Sequence, residues 1–509
     1  MRFKILCSLF IAITFASCAY HKNKIYKLTI LHTNDHHGRF WPNKDGEVGL
    51  APRGTLIKKI KEEVQAQGGH VLVLDAGDVN TGTPQSDLQD AEPDFKGMGL
   101  IGYDVMAIGN HEFDKPLKTI FKQRQWAGFP FVSSNIYHLK TNERVFPSHV
   151  IKKLDGLKVT IFGLTTEDTP FKSNPKYSSE LKFVPAVEEA KKLVPLLRKD
   201  TDVLIALTHM GHYENETHGA DAPGDVTLAR QVNGIDVIVG GHTQKPLFKP
   251  DIQNGTVIVQ AHEWGKYLGR VDLEISNRKV NLINAKLIPI NLKDAPEKIT
   301  ADLKIETLLS EYKKKGDSSL TVEFGTSDGE FMGRREIIRS KETSLGNLVT
   351  YAYKNKVHAD IGLSNSGGLR DSIYEGKITY ETILTVLPFG GELAVAEMNG
   401  KELKEYLEFL ILNLNPGSGS FPQISGINIV ADKKTKKIKE LKINSTPVSL
   451  TKKYLIALPE FIAGGGDKYP KITYRKTGFV DADVLKDYIL AKKQLKVTEF
   501  SPTGYIKLK

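Results

Sequence analysis

Leu28-Thr29-Ile30-Leu31-His32-Thr33-Asn34-Asp35-His36-His37-Gly38 decides the fold, because an apolar run passes directly into side chains that bind metals. Such a run is typical of a buried parallel strand. The same pattern recurs four times, with Val71–Leu74 before Gly77-Asp78, Val105–Ile108 before Gly109-Asn110-His111-Glu112, Val203–Leu207 before Thr208-His209-Met210-Gly211-His212, and Val237–Val239 before Gly240-Gly241-His242-Thr243-Gln244. Because ligands at the carboxyl ends of consecutive strands meet in one crevice, the five segments predict a single site.

The residue types at these strand ends predict a site for two divalent cations. Asp78, on the tight Gly77 turn, is the natural carboxylate to bridge them. The other candidate ligands are Asp35 and His37 for one metal, and Asn110, His209 and His242 for the other. Mixed oxygen and imidazole ligands favour zinc, manganese or cobalt. Two such metals clamp the attacking and leaving oxygens of an in-line displacement, so the predicted reaction is phosphoester hydrolysis.

Each segment taken alone has a simpler interpretation. A Gly-Asn-His or Gly-Gly-His at a strand end is more often a polar turn than a ligand. Five such segments after five strands, in order, favour the metal site. His36 and His212, which flank candidate ligands, are predicted to be structural.

These motifs resemble those of the calcineurin-like metallophosphoesterases. Two longer segments, Leu74-Asp75-Ala76-Gly77-Asp78-Val79-Asn80-Thr81-Gly82 and Thr208-His209-Met210-Gly211-His212-Tyr213, resemble the 5′-nucleotidase family, and its bacterial UDP-sugar hydrolase branch in particular. The resemblance runs from about residue 27 to the end of the chain. It implies a two-domain α/β protein, in which an N-terminal four-layer α/β/β/α metallophosphoesterase domain is joined by a helix to a C-terminal α/β nucleotide-binding domain.

The resemblance also implies a ligand set and a catalytic pair. One metal would take Asp35, His37, Asp78 and Gln244, and the other Asp78, Asn110, His209 and His242. A neutral amide such as Gln244 is a weaker ligand than imidazole, so the metal that it holds is expected to exchange more readily. The catalytic pair would be His111 and Asp114, with Asp114 favouring the charged imidazole and His111 stabilising charge on the phosphoryl group.

Three glycine-rich segments mark the second half of the chain. Ser364–Arg370 is a turn ending in a cation, while Leu387–Gly391 and Phe461–Asp467 each place a phenylalanine beside turn glycines. Alone, each phenylalanine is more often a core residue. The resemblance implies that the nucleoside is bound by Arg335, Arg339, Asn365, Arg370, Phe389, Phe461 and Asp467, with the two phenylalanines stacking on the base. Gly391 replaces an Asn of the UDP-sugar hydrolase branch, which leaves the base preference open.

The length of 509 residues predicts more than one domain. We place the catalytic domain at residues 25–297, a linker helix within 298–318 and the substrate-binding domain at 319–509. Lys298–Lys315 is predicted to be one amphipathic helix that Gly316-Asp317 ends, and Leu345–Lys356 a second one begun by Thr343 or Ser344.

Residues 1–18 resemble an export signal. Arg2 and Lys4 precede an apolar stretch, Ile5–Phe15, that is too short to span a bilayer. Phe15-Ala16-Ser17-Cys18 resembles a lipobox, which predicts a lipidated Cys18, although Phe15 departs from the usual Leu and ordinary cleavage after Ala19 is the alternative. The only cysteines are Cys7 and Cys18, so the folded body can form no internal disulfide. The predicted location is the periplasm or the membrane surface of a bacterial envelope.

The formal net charge is +10, to which Arg2 and Lys4 contribute two. A positive field attracts anionic nucleotides, but lysine runs such as Lys313–Lys315 are more typical of a solvated surface than of a nucleic-acid site. The sequence therefore predicts an exported, monomeric hydrolase that acts on nucleotides and nucleotide sugars and not on nucleic acid. Two alternatives stay open: a 2′,3′-cyclic-nucleotide phosphodiesterase with 3′-nucleotidase activity, and a catalytically silent nucleotide-binding surface protein.

Overall fold

The computed structural model describes residues 24–508 except 44, 172, 174, 215–222, 413–415 and 433. The predicted export signal and Cys18 lie outside the described residues. Within them, no helix is both long and apolar enough to cross a bilayer.

The first of two large sheets contains three of the five predicted strands. Its strands, in spatial order, are Lys279–Pro289, Tyr267–Ser276, Tyr26–Thr33, His70–Asp75, Val105–Ala107 and Phe131–Val132. The last four run parallel to one another, and the first two pair antiparallel at one edge. The carboxyl ends of the parallel strands therefore lie along one edge of the sheet, as predicted for Asp35, Asp78 and Asn110.

The remaining two predicted strands lie in a second sheet. Its order is Asp251–Gln253, Thr256–Gln260, Val237–Gly240, Val203–His209, Leu157–Thr165 and His149–Leu154. The four central strands are parallel, and the outer two are antiparallel. The five strand ends that carry candidate ligands thus come from two sheets, in agreement with the expected α/β/β/α architecture.

The two sheets pack face to face over a shared apolar core. Leu28 and Leu74 from the first sheet join Ile205 and Leu207 from the second in one cluster of buried side chains. Leu31 points to the opposite face of its strand, where helices cover the first sheet. Strands buried on both faces read as continuous apolar runs, and this explains the sequence pattern. Together with the outer helices the sheets form the predicted four layers.

Helices cover the outer faces of this domain. They span Leu50–Ala66, Pro84–Asp87, Glu92–Ile101, Leu117–Ala127, Pro175–Ser178, Ala186–Arg198 and Asp225–Gln231, with 3₁₀ turns at His111–Asp114 and Thr169–Phe171. A two-stranded ribbon, Ile136–His138 with Leu181–Phe183, completes the domain.

The helix that connects the halves spans Leu303–Leu320, so the prediction of Lys298–Lys315 was wrong at both ends. Asn291 holds the preceding segment outside the helix, because its side chain bonds both the N–H and the carbonyl of Ile299. Asp302 caps the helix by accepting from the N–H groups of Lys304 and Ile305. Gly316 does not end the helix, which continues to the fully buried Leu320.

The C-terminal domain is built on three sheets. A five-stranded sheet has the order Pro422–Ser425, Ile361–Asn365, Lys453–Pro459, Glu392–Asn399 and Arg475–Val480. The other two are Thr446–Pro447, Ile438–Ile443, Ile427–Ala431 and Ile506–Leu508, and Gly376–Thr379, Glu323–Ser327 and Gln494–Leu495. Its helices are Arg335–Ile338, Ser344–Lys356, Tyr380–Val386, Gly400–Leu412, Glu460–Ala463 and Asp481–Lys492, with 3₁₀ turns at Ser366–Gly368, Gly466–Lys468 and Val497–Phe500. Thr343 caps the second of these helices, as expected.

Candidate metal centre and substrate cleft

The candidate ligands occupy sharply turning backbone directly after their strands. Five of them adopt the left-handed region, with φ of 51° at Asp35, 50° at His37, 59° at Asp78, 79° at His242 and 58° at Gln244. Residues other than glycine rarely adopt this backbone conformation. Where they do, the surrounding structure enforces it, and such residues concentrate at functional sites. The turns after these strands therefore aim side chains back toward one point between the sheets.

Asp35, His37 and Asp78 form the first candidate metal group. The Nε2 atom of His37 lies 3.8 Å from Oδ1 of Asp35 and 4.0 Å from Oδ2 of Asp78. The side-chain amide of Gln244 lies 2.9 Å from the same His37 nitrogen. All four residues of the first predicted ligand set are thus brought together.

The second candidate group contains Asp78, His209 and His242. Nε2 of His209 lies 3.0 Å from Oδ2 of Asp78, and Nδ1 of His242 lies 2.8 Å from Oδ1 of Asn110. The Asp78 carboxylate belongs to both groups, which is the arrangement expected of a bridging ligand.

The donor atoms of these residues fit a pair of cations. Oδ1 of Asp35 is buried and accepts no hydrogen bond within the described residues, and Nε2 of His209 has only the carboxylate of Asp78 beside it there. Buried polar atoms are almost always paired, so atoms left without a hydrogen bond in a cluster of carboxylate, imidazole and amide groups suit a metal ion.

Backbone carbonyls orient the two most buried imidazoles. Nδ1 of His37 lies 2.7 Å from the carbonyl of Thr81, and Nδ1 of His209 lies 2.7 Å from that of Ala76. A carbonyl only accepts, so each Nδ1 carries a proton and each Nε2 is the ring nitrogen that faces its metal group. Hydrogen bonds of this kind fix ligating histidines in metalloproteins.

Negative charge is concentrated between the two groups. Burial, together with the neighbouring Asp78, raises the pKa of Asp35 to about 7. Burial would also raise the pKa of Asp78, but the histidines around it, His209 above all, hold that pKa well below its usual range. Burial lowers the pKa of His209, yet Asp78 outweighs it and raises that pKa to about 10. The site favours positive charge beside Asp78.

Glu112 supports the centre, although sequence reasoning assigned it no role. Its carboxylate accepts from the N–H groups of Asp78 at 3.0 Å, Val79 at 2.9 Å and Gly109 at 2.7 Å, and the side chain is fully buried. It therefore ties the Asp78 turn to the neighbouring strand end. The only sequence signal was its place directly after Asn110-His111.

His111 and Asp114 form the predicted pair on a 3₁₀ turn. Nδ1 of His111 lies 2.6 Å from Oδ2 of Asp114, and the imidazole is 17% exposed. Burial lowers the pKa of His111, but Asp114 and Asp78 outweigh it and raise that pKa to about 9. The His111 and His37 rings meet edge to face with centroids 5.2 Å apart, so a cationic imidazole stands beside the first metal group.

One cavity of about 1000 Å³ joins this centre to the C-terminal domain. From the N-terminal domain it is lined by Asp78, Asn110, His111, Asp114, His242 and Gln244, and from the C-terminal domain by all seven predicted substrate residues: Arg335, Arg339, Asn365, Arg370, Phe389, Phe461 and Asp467. Asp35, His37 and His209 are buried behind this surface.

Three arginines give the C-terminal wall of the cavity its charge. Within the described residues no carboxylate lies within 4.0 Å of the guanidinium of Arg335, Arg339 or Arg370. Burial and the charges of the other two lower the pKa of Arg339 to about 9. Unpaired cations crowded together in this way favour an anionic ligand.

The other substrate candidates are held in specific positions. Asn365 ends its strand and donates to Oδ2 of Asp467 at 2.6 Å. Phe389 lies parallel to His111, with ring centroids 5.8 Å apart, and the Arg370 guanidinium lies 5.5 Å from the centre of its ring. An ideal Cβ atom at Gly391 would lie 3.3 Å from Oδ2 of Asp481, so this carboxylate stands beside the position of the missing side chain.

Comparison with known proteins gives full-length similarity. Residues 28–246 match the calcineurin-like phosphoesterase family, and residues 323–474 match the 5′-nucleotidase C-terminal domain. The 5′-nucleotidase of Vibrio cholerae is 45% identical and the protein UshA of Escherichia coli 44% identical, over 99% and 96% of this chain and 98% and 95% of theirs. The crystal structure of a 5′-nucleotidase precursor from Thermus thermophilus is 28% identical over 95% of this chain and 99% of its own, with a TM-score of 0.77.

Proposed function

Because the chain belongs to the 5′-nucleotidase family of calcineurin-like phosphoesterases, we propose that it is an exported dinuclear-metal hydrolase of nucleotides. It releases phosphate from nucleoside 5′-monophosphates, acts on the di- and triphosphates, and cleaves UDP-sugars at the pyrophosphate. One observation supports this above the others: the candidate metal ligands and the candidate nucleoside residues line the same cavity.

Two divalent cations of zinc, manganese or cobalt would bind at the two ligand groups. Asp35, His37, Asp78 and Gln244 would hold one, and Asp78, Asn110, His209 and His242 the other. Bound there, the cations would polarise the phosphoryl group and supply a nucleophilic water near neutral pH. The buried Oδ1 of Asp35, which accepts no hydrogen bond within the described residues, supports this assignment.

His111 and Asp114 act on the transferring phosphoryl group. Asp114 fixes the imidazole through its 2.6 Å contact and keeps it protonated. The charged ring then stabilises negative charge that grows on the phosphoryl oxygens. Since the ring is partly exposed to the cavity, it can reach a substrate that enters from the C-terminal side.

The C-terminal residues select the substrate. Arg335, Arg339 and Arg370 hold its phosphate and ribose side. Within the described residues no carboxylate pairs with these arginines, so they are available to an anionic substrate. Asp467 accepts from the ribose hydroxyls, Asn365 contacts the base, and Phe389 and Phe461 stack on its two faces. Stacking of a base on an aromatic side chain contributes about 1–3 kcal/mol.

Residues 1–18 resemble an export signal, which supports a location in the bacterial periplasm or, through a lipidated Cys18, on a membrane surface. We propose a monomer with domain limits of 25–297, 298–318 and 319–509. Nucleic acid is not a proposed substrate, because the sequence carries no basic motif with interleaved aromatic residues.

A substrate panel tests the proposal. Metal-replete protein is assayed with AMP, UMP, ATP, UDP-glucose and 2′,3′-cyclic AMP, with Mn²⁺, Zn²⁺ or Co²⁺ and after chelation. We expect phosphate release from the monophosphates and UMP formation from UDP-glucose, both lost on chelation. Activity confined to the cyclic substrate would instead identify a cyclic phosphodiesterase, and binding without any turnover a silent nucleotide-binding protein.

A further inference from the structure

Thr81 contacts both the metal centre and the catalytic pair. It follows the Asp78 turn by three residues and is 5% exposed. Its carbonyl oxygen lies 2.7 Å from Nδ1 of His37, and its hydroxyl donates to Oδ2 of Asp114 at 2.9 Å. The backbone and the side chain of one residue thus reach two different parts of the site.

The backbone of Thr81 is held where threonine is disfavoured. Its φ of 65° is an outlier for a β-branched residue. Both neighbours enforce this conformation. Asn80 exchanges hydrogen bonds with Gln123 at 3.1 and 2.7 Å, and a Cβ atom on Gly82 would lie 2.6 Å from the carbonyl oxygen of His37. Such strain persists only where surrounding contacts fix it, and it concentrates at functional sites.

The hydroxyl of Thr81 restricts the carboxylate of Asp114. Oδ2 of Asp114 receives Thr81 Oγ1 and His111 Nδ1 together, so the two contacts fix the orientation of the carboxylate. The imidazole of His111 takes its direction from that carboxylate. Without the hydroxyl, the Asp114 carboxylate could rotate, and the His111 imidazole would no longer be held in its orientation toward the cavity.

We propose that Thr81 is a positioning residue that couples the first metal group to the catalytic pair. Its carbonyl orients His37 as a ligand, and its hydroxyl orients Asp114 and, through it, His111. This inference rests on the proposed function, because it assumes that His37 binds metal and that His111 acts on phosphorus. Thr81 lies in the segment Asn80-Thr81-Gly82, and its hydroxyl has no part in the metal and nucleoside assignments given above.

Substitutions separate the two contacts. Thr81→Val keeps the shape and the carbonyl but removes the hydroxyl, and Thr81→Ser keeps the hydroxyl. We expect Thr81→Val to lower kcat by about 10- to 100-fold, the usual loss when a supporting hydrogen bond is removed, with KM and bound metal unchanged. Thr81→Ser should remain within about threefold of the wild type. Thr350→Val is the matched control, since this buried hydroxyl bonds only within its own helix and should not affect kcat.

A double-mutant cycle with Asp114→Ala tests whether Thr81 acts through Asp114. In that background Thr81→Val should cost no further activity, since interacting residues are non-additive. An equal loss in both backgrounds, a wild-type kcat for Thr81→Val, or a loss confined to KM would each overturn the proposal.

The ring signals of selectively ¹⁵N-labelled histidines provide a readout that does not depend on turnover. Thr81→Val should shift the Nδ1 signal of His111, identified by its absence in His111→Ala, while Thr81→Ser and Thr350→Val should leave it unchanged. An unshifted signal contradicts the positioning role even if nucleotides prove not to be substrates. A shifted signal in a protein that hydrolyses no nucleotide contradicts only the proposed function.

Discussion

The phenyl ring of Phe389 lies parallel to the imidazole of His111, with their centroids 5.8 Å apart and their planes inclined by 19°. The two residues come from different domains, so a candidate base-stacking residue touches the candidate catalytic histidine. The guanidinium of Arg370 lies 5.5 Å from the centre of the same phenyl ring. Phe389 therefore stands between the proposed nucleoside-binding residues and the proposed catalytic pair.

Replacing Phe389 by Ala should weaken substrate binding more than chemistry. Loss of one stacking face costs about 1–3 kcal/mol, which corresponds to a rise in KM for AMP of roughly 5- to 150-fold. Steady-state kinetics with AMP and UMP measure it. Phe479→Ala, at a 41% exposed phenylalanine outside the cavity wall, is the control. An unchanged KM would show that Phe389 does not contact the base.

The clustering of the candidate ligands was predictable from the sequence, but their supporting contacts were not. Apolar runs followed by Asp35, Asp78 or His209 reveal strand ends, because strand burial and ligand chemistry both leave local patterns. Glu112 and Thr81 act through partners more than 30 residues away in sequence, and one sequence does not display such pairings.

The start of the connecting helix was missed for a related reason. The apolar spacing from Lys298 was compatible with a helix, yet Asn291, which lies in the loop before it, bonds the backbone of Ile299 and delays the helix to Leu303. Contacts from outside a segment can override its own pattern.

Glu112→Gln should destabilise the fold. The carboxylate accepts from four backbone N–H groups, and an amide has only one acceptor oxygen and adds an NH₂ group that faces these donors. Leaving a buried donor unsatisfied costs about 1–3 kcal/mol. Urea denaturation should show a loss of this size. Glu62→Gln, at an exposed helix position, should leave the midpoint unchanged. Equal midpoints for Glu112→Gln and the wild type would contradict the structural role of Glu112.

Arg339→Met should weaken the binding of anions. The unpaired guanidiniums of Arg335, Arg339 and Arg370 repel one another, so an anion among them is stabilised, and each hydrogen bond to a charged group contributes about 1.5–3 kcal/mol. Inorganic phosphate should raise the thermal midpoint of the metal-free wild type more than that of Arg339→Met. Arg334→Met is the neighbouring control, because Arg334 is exposed and pairs with Glu330. Equal stabilisation of all three proteins would contradict an anion site at Arg339.

Asp481 should make stability depend on pH. Burial raises its pKa from an ordinary 3.8 to about 7, so the folded protein holds this proton more tightly than the unfolded chain. The resulting stability is fully present below about pH 4 and is lost as the pH rises through about 7. Over that range the free energy of unfolding falls by at most about 1.4 kcal/mol per pH unit. Urea midpoints from pH 4 to 7 should fall less steeply for Asp481→Asn than for the wild type. Asp487→Asn, an exposed position on the same helix, should keep the wild-type slope. Identical slopes for Asp481→Asn and the wild type would show that Asp481 ionises normally.

Gln244 should make one metal leave before the other. It is the amide of the first ligand group and lies 2.9 Å from Nε2 of His37, the one imidazole of that group, whereas the second group has two imidazoles, from His209 and His242. An amide binds divalent metals more weakly than imidazole does. During titration with a chelator, metal analysis should show that one equivalent is lost first, and activity should fall with it. Gln244→His should delay that loss and Gln244→Ala should advance it, while Gln65→His, at an exposed helix position, should change neither step. Simultaneous loss of both metals from the wild type, or a first step that Gln244→His leaves unchanged, would show that Gln244 does not set the affinity of this site.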